Sequence, residues 1–424
     1  MINQASPIEK TVLDNGLTII TEQMSHVRSA SVGIWVRSGS RHEEAQLNGI
    51  SHFIEHTLFK GTRNRTAREI AVESDAIGGH VDAFTSREVA AYYVKVLDEH
   101  LPRAFDLLGD LVTAPLFENS ELDRERNVVM EEIKMVEDTP DDLVHEVFVA
   151  NIWPDHPLGR SILGTADTLA TFDHERVSSY FQNVYTPRNL VVAGAGNIEH
   201  AGFVEMVSRY LKKLEDRPTA LMASTPSPDA RRIVLNKELE QAHLVMGTHC
   251  PSMVSDDRYS VHVLNVILGG GMSSRLFQKI REENGLAYAV YSGVNAYTDA
   301  GYLSVYAATS PEQIRDVIHL SVQEFGRLKT EPVPESEIQR AKDQLKVSIM
   351  LSLESTSARM SNIARQEIFF GRQFTLDEIL NRIDSVTSSD VQRIANAIFH
   401  NERVAITAIG QLDSFNLETE QITV

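Results

Sequence analysis

Residues 51–57 read Ser51-His-Phe-Ile-Glu-His-Thr, which sets His52, Glu55 and His56 in the spacing H-x-x-E-H. On a helix, His52 and His56 stand about 40° apart and one turn along the axis, so both imidazoles can reach one metal ion. Glu55 lies about 60° to the side of His52 on the same surface, near enough to act on a metal-bound water without ligating. This is the H-E-x-x-H arrangement of zinc peptidases with the glutamate moved to the other end, and its chemistry is metal-assisted hydrolysis. Catalytic zinc takes three protein ligands and keeps a fourth position for water, so another donor must come from elsewhere. A helix expected over 121–137 carries Glu125 and Glu132 seven residues apart, two turns along one face. Glu131 and Glu137 fall on other faces, and Glu121 in the first turn complements the helix dipole. Spacing alone does not choose between Glu125 and Glu132.

The elements that must position these residues alternate along the chain. Residues 18–22 and 30–36 are strand-like, and 45–60 and 66–77 read as helices. Gly78-Gly79 then breaks the chain before strands at 80–86 and 89–96. Helices are expected at 98–113 and 121–137, the second with Ser120 as its cap three residues before Asp123. A strand from Asn189 closes this half. Residues 215–230, EDRPTALMASTPSPDA, hold three prolines and have the composition of a linker. The order of elements then restarts, with a strand at 234–246, a helix at 257–284 and strands at 287–297 and 301–308. Helices at 311–329 and 335–370 and a late strand at 404–409 follow. Gly269-Gly270-Gly271 lacks the Lys-Ser/Thr and the preceding strand of a phosphate loop.

Short stretches repeat as well. Ser120-Glu-Leu-Asp-Arg returns as Ser336-Glu-Ile-Gln-Arg at an offset of 216 residues, and the strand 187–196 resembles 401–410. Repetition over so long a period implies a duplicated domain. The expected fold is α+β: two homologous domains, each a mainly antiparallel sheet covered by helices. They divide into 1–214, a linker at 215–230, and 231–424. At the offset of 216, Glu125 and Glu132 become Ala341 and Ser348, and the second half has no H-x-x-E-H. The fold therefore does without these carboxylates, and the metal belongs to the first half.

Bulk composition narrows the function classes. Forty Lys and Arg against 59 Asp and Glu give a formal charge of −19, which repels nucleic acid. No run reaches the ~18–20 apolar residues of a membrane span. The start, MINQASPIEKTVLDNG, has neither the basic and apolar regions of a secretory signal nor the acid-poor character of a transit peptide. The single cysteine, Cys250, excludes an internal disulfide and a multi-thiolate zinc site. A cytoplasmic protein without nucleic-acid or membrane partners is expected.

Three longer stretches are more specific: His52-Phe-Ile-Glu-His-Thr-Leu-Phe-Lys-Gly-Thr, Gly78-Gly-His-Val-Asp-Ala-Phe-Thr-Ser-Arg-Glu and Arg124-Glu-Arg-Asn-Val-Val-Met-Glu-Glu. With them the chain resembles the pitrilysin/insulinase metallopeptidases, in the short branch that includes mitochondrial processing peptidase and its bacterial relatives. The resemblance runs from Leu13-Asp-Asn-Gly-Leu to the strand near 409. It implies Glu132 as the third ligand of one Zn2+ per chain, Glu125 as a supporting carboxylate and Glu55 as catalytic base. It also implies that the strand bearing Asp82, Ala83, Phe84 and Thr85 pairs with an extended substrate backbone, a largely sequence-blind form of β-addition. Where the family commonly shows Asn-Ala, this chain has Asp82-Ala83. Arg281 and Tyr288, seven residues apart, match the family's pair that contacts substrate and steadies the reacting carbonyl. By residue type alone they are a surface arginine and a half-buried strand tyrosine. Two shells of a clam-like chamber enclose the substrate in this family, and 424 residues make one shell. The resemblance thus implies a homodimeric zinc endopeptidase for unfolded peptides or flexible segments, with a site shared between chains. The alternative is a non-catalytic zinc-binding subunit that serves as scaffold or partner activator.

Overall fold

The computed structural model describes residues 8–217, 224–227, 230–413, 415 and 417; much of the expected linker 215–230 lies outside the described residues. The chain forms two compact units. Among the described residues, one comprises the chain up to Lys134, Arg160–Ala223 and Leu351–Gln373, and the other Met135–Gly159, Ser224–Met350 and the chain from Phe374.

The first unit is built on a six-stranded sheet of β1 (Ile8–Val12), β2 (Thr18–Gln23), β3 (Ser29–Val36), β4 (His80–Thr85), β5 (Ala90–Leu97) and β6 (Leu190–Gly196). Their order is β1-β2-β6-β3-β5-β4, antiparallel throughout except for β2 beside β6. β4 is an edge strand, paired to β5 with Ala83 opposite Tyr92 and Thr85 opposite Ala90. Gly78, at φ +61°, turns the chain into it, a conformation that favours glycine. Four helices matter for the site: α1 (Ile50–Leu58), α2 (Ala67–Ala76), α3 (Leu101–Thr113) and α4 (Asn119–Asp138). In α1 the apolar positions Ile50, Phe53, Ile54 and Leu58 are fully buried, in one cluster with Val32, Ile34, Val94 and Phe105. This helical spacing commits one face to the core and turns the other, with His52, Glu55 and His56, away from it.

The second unit carries β7 (Arg232–Asn236), β8 (Ala242–His249), β9 (Ala287–Ala296), β10 (Gly301–Thr309) and β11 (Ala405–Gly410), in the order β7-β11-β8-β10-β9. Here β7 and β11 are the parallel pair and the rest are antiparallel. The run from β2 to β4 in the first sheet has the same sequence of pairings. Both units are sheets covered by helices, the α+β architecture expected.

The units are not the two stretches on either side of 215–230, because each sheet is covered on one face by a helix from the other half of the sequence. α5 (Pro140–Ile152) packs Val144, Phe148 and Ile152 against Val245, Tyr302 and Ile409 of the second sheet. The helix Thr356–Phe370 packs Met360, Ile363 and Ala364 against Trp35, Ala91 and Val191 of the first. Trp35 Nε1 donates to Met360 Sδ at 3.3 Å within that layer.

Several elements differ from the sequence expectation. The helix expected over 45–60 begins at Ile50, because Gly49 sits at φ +95°. The expected 257–284 helix ends at Gly269, where consecutive glycines remove helical preference, and resumes as the π-helical turn Phe277–Glu283. Residues 335–370 form two helices, Glu335–Ser352 and Thr356–Phe370. α4 starts at Asn119, so Ser120 lies inside the helix instead of capping it. The strand β1 and the helices at 140–152, 174–184 and 200–211 were absent from the expectation. No helix among the described residues is long and apolar enough to cross a membrane.

Candidate metal centre

α1 and α4 bring together His52, His56 and Glu132. His52 Nε2 lies 3.7 Å from Glu132 Oε2, and His56 Nε2 lies 3.5 Å from Glu132 Oε1. The two imidazole centroids are 4.7 Å apart. One donor atom from each of the three residues falls within 4.8 Å of the others, and no other such group of His, Cys, Asp or Glu occurs among the described residues. Two imidazoles and a carboxylate are a donor set of catalytic zinc sites, which keep a further position open. Burial, followed by the neighbouring His56, pushes the His52 imidazole down to about 4, so its ring stays neutral and keeps a lone pair for a metal. The residues present fit a zinc ion.

Glu125, the other acid on the α4 face, stands behind this group. It is 4 % exposed, so as a carboxylate it needs partners. His56 Nδ1 lies 3.3 Å from its Oε2, and Lys60 Nζ 2.8 Å from its Oε1. With the proton on Nδ1, His56 donates to Glu125 and turns the Nε2 lone pair toward Glu132, the carboxylate–histidine pairing that orients metal ligands. The two acids left open by spacing therefore have different positions: Glu132 with both imidazoles, Glu125 behind one of them. Lys60 was not among the residues singled out from sequence. Its signal was its place one turn past His56, beyond the end of α1. His52 lacks comparable support: its Nδ1 is buried with no hydrogen-bond partner among the described residues.

Glu55 lies on the same face of α1, outside the donor group. Thr85 Oγ1, at the end of β4, donates to its Oε2 at 2.5 Å. Burial raises the Glu55 carboxyl above its ordinary range, and the Thr85 hydrogen bond opposes that rise. Thr85 lies on β4, the strand expected to meet substrate, and its hydroxyl is directed at the acid that would move protons. The rest of the strand is also engaged within the unit. Asp82 accepts the Tyr93 hydroxyl at 2.9 Å and the Ala83 N–H at 2.8 Å. The Phe84 ring meets Trp35 edge-on at 5.5 Å.

Arg281 and Tyr288 belong to the second unit, on the π-helical turn and on β9. The Arg281 guanidinium lies over the Tyr288 ring at 4.4 Å and over Phe277 at 4.7 Å. Tyr288 is 78 % exposed, where residue type suggested half-burial.

Comparison with known proteins adds an independent finding. Residues 18–166 match the family model described as insulinase (peptidase family M16), and residues 171–345 match the one described as peptidase M16 inactive domain. The uncharacterized zinc protease YmxG of Bacillus subtilis is 42 % identical over 92 % of this chain and 96 % of its own. An uncharacterized zinc protease of Streptomyces coelicolor is 40 % identical over 96 % of this chain and 90 % of its own. The fold matches the crystal structure of a protease from Helicobacter pylori with a TM-score of 0.88 at 21 % identity, over 96 % of this chain and 100 % of that one.

Proposed function

We infer, from the premise that this chain belongs to the insulinase family, peptidase family M16, that it cuts unfolded peptides or flexible segments as a zinc endopeptidase. The chain is a metalloprotease. The observation that carries the finer reading is the convergence of His52, His56 and Glu132, with Glu55 on the same helix face and outside the donor group. His52, His56 and Glu132 hold one zinc per chain. When bound, zinc supplies Lewis acidity toward a carbonyl oxygen and toward a water, whose pKa falls to ~7.

Everything else falls to the protein. Glu55 takes the proton of the attacking water and returns it to the leaving amine. Thr85 holds one carboxylate oxygen of Glu55, which leaves the other for the proton. Glu125, paired with Lys60, keeps His56 in the tautomer that offers Nε2 to the metal. An extended substrate adds to the open edge of β4 beside Asp82, Ala83 and Phe84, displacing the bond from Ala83 to Asp82. The unpaired Cys250 fits a reducing, cytoplasmic location.

A twofold homodimer would close two shells into a chamber that admits unfolded chains and excludes folded ones. Arg281 and Tyr288 of each chain then serve the zinc of the other, donating toward the developing oxyanion, a role worth ~2.7–4 kcal/mol per donor. The stacking of the half-buried Arg281 guanidinium on the exposed Tyr288 ring supports this reading, since each side chain helps to hold the other. The direct test is mass spectrometry of an unfolded-peptide mixture and of folded proteins incubated with the enzyme. Internal cleavage of the peptides, abolished by a chelator, with the folded proteins spared, is the expected result. Cleavage of neither would leave the scaffold alternative standing. The shared site makes a second prediction. Glu55→Gln and Arg281→Ala chains, each inactive alone, recover about a quarter of wild-type activity after subunit exchange, since half the dimers are mixed and each holds one intact site. No recovery, with exchange verified, removes the shared site.

A further inference from the structure

His56 is oriented by Glu125, but the ring of His52 has no such partner among the described residues, and its position depends on the first turn of α1. That turn is held by a residue far from the metal ligands in character. Glu43 is 3 % exposed, and both of its carboxylate oxygens accept from the start of the helix. Its Oε2 takes the N–H of Gly49 at 2.7 Å and Asn48 Nδ2 at 3.3 Å, and its Oε1 takes the N–H of Ser51 at 2.8 Å. Ser51 immediately precedes His52.

The surroundings leave this turn little room to move. Gly49 sits at φ +95° against Gly164, whose Cα would lie 2.6 Å from a Cβ at position 49, and Gly164 is itself at φ +78°. Asn48 also donates to Ser161 O at 2.9 Å, Arg160 Nη1 donates to the carbonyl of Glu43 at 3.2 Å, and Ser51 Oγ lies 3.0 Å from Tyr180 OH. A buried carboxylate at a helix N-terminus satisfies amides that have no partner within the helix and opposes the positive end of its dipole. Here the same contacts fix the backbone from which the His52 side chain leaves.

We propose that Glu43 is a positioning residue for the metal centre: by bonding the N–H groups of Gly49 and Ser51 it sets the His52 imidazole against His56 and Glu132. This rests on the reading of those three residues as a zinc site, and not on any peptidase activity.

Glu43→Gln tests it, because the amide keeps the size of the side chain but turns a donor toward one of the two N–H groups. Glu43→Asp keeps the charge and, one methylene shorter, cannot reach both. Zinc affinity is measured by competition with a chromophoric chelator, and the visible spectrum of the cobalt(II)-substituted protein reports the ligand geometry. The expected order of affinity is wild type, then Glu43→Asp, then Glu43→Gln, with the last weakened about 10–100-fold and its cobalt spectrum altered. Thr375→Ala, which removes the cap of the helix Leu376–Asp384, is the control: it lowers the melting temperature but leaves zinc affinity unchanged. If Glu43→Gln does not fold, Glu43→Asp decides. Zinc affinity and cobalt spectrum equal to wild type in the folded Glu43 variants overturn the proposal alone. A wild type that binds no zinc overturns the metal site and the proposal together.

Discussion

Replacement of Glu55 by glutamine is expected to lower kcat for peptide cleavage by ~10²–10⁴-fold, the usual worth of a positioned acid–base group, while the zinc stays bound. The two effects separate because Glu55 is not among the three donors that come together, although it is next to His56 in the chain. Glutamine is nearly the same size and can still accept the Thr85 hydroxyl through its carbonyl oxygen, so α1 and β4 keep their contact. What disappears is the capacity to carry a proton. Thr85→Val should fall between the two enzymes, losing about 10-fold in kcat with little change in KM, as suits the loss of one hydrogen bond to a charged group. Thr85→Ser should restore most of it. Cleavage rates on a fixed peptide, with zinc content measured on the same samples, decide the matter. A glutamine variant within a few-fold of wild type would show that another group moves the proton.

Zinc itself should depend on the two α4 acids unequally. Glu125→Gln is expected to weaken zinc binding about 10–100-fold, the typical cost of losing a group that orients a ligand. Glu132→Ala should cost considerably more, since it deletes a donor and leaves two imidazoles without the carboxylate that stands 3.5 and 3.7 Å from their Nε2 atoms. In practice, excess zinc rescues peptide cleavage by Glu125→Gln and fails to rescue Glu132→Ala. The geometry supports this order: Glu125 contacts the far nitrogen of one histidine and is balanced by Lys60, whereas Glu132 faces both rings. Equal zinc affinity in the two variants would mean that the carboxylates exchange roles on binding the metal.

Much of the site could be read in the linear chain, for a local reason. His52, Glu55 and His56 lie within one turn and a half of a single helix, and helical geometry places residues four apart on one face. The pattern Ile50, Phe53, Ile54 and Leu58 likewise says which face meets the core. The seven-residue interval between Glu125 and Glu132 put both acids on one side of α4, but the choice between them depended on how far along its axis α4 meets α1. That is a property of packing between helices. No periodicity within α4 carries it.

The sequence alone determined the metal-binding face of α1, the pair of candidate acids and the doubling of a sheet-and-helix unit, because each follows from spacing within an element or repetition along the chain. Tertiary structure alone decided what lies across the gaps. It placed Lys60 on Glu125, the hydroxyl of Thr85 on Glu55 and the carboxylate of Glu43 on the first amides of α1. It also exchanged α5 and the helix Thr356–Phe370 between the two sheets. An apolar helix face fixes that it will be buried but not against which sheet, since burial is non-directional and either surface removes the same area from water. A buried polar group is more selective, because it must find its partner; that is why the contacts that orient the centre could be found only in the folded chain.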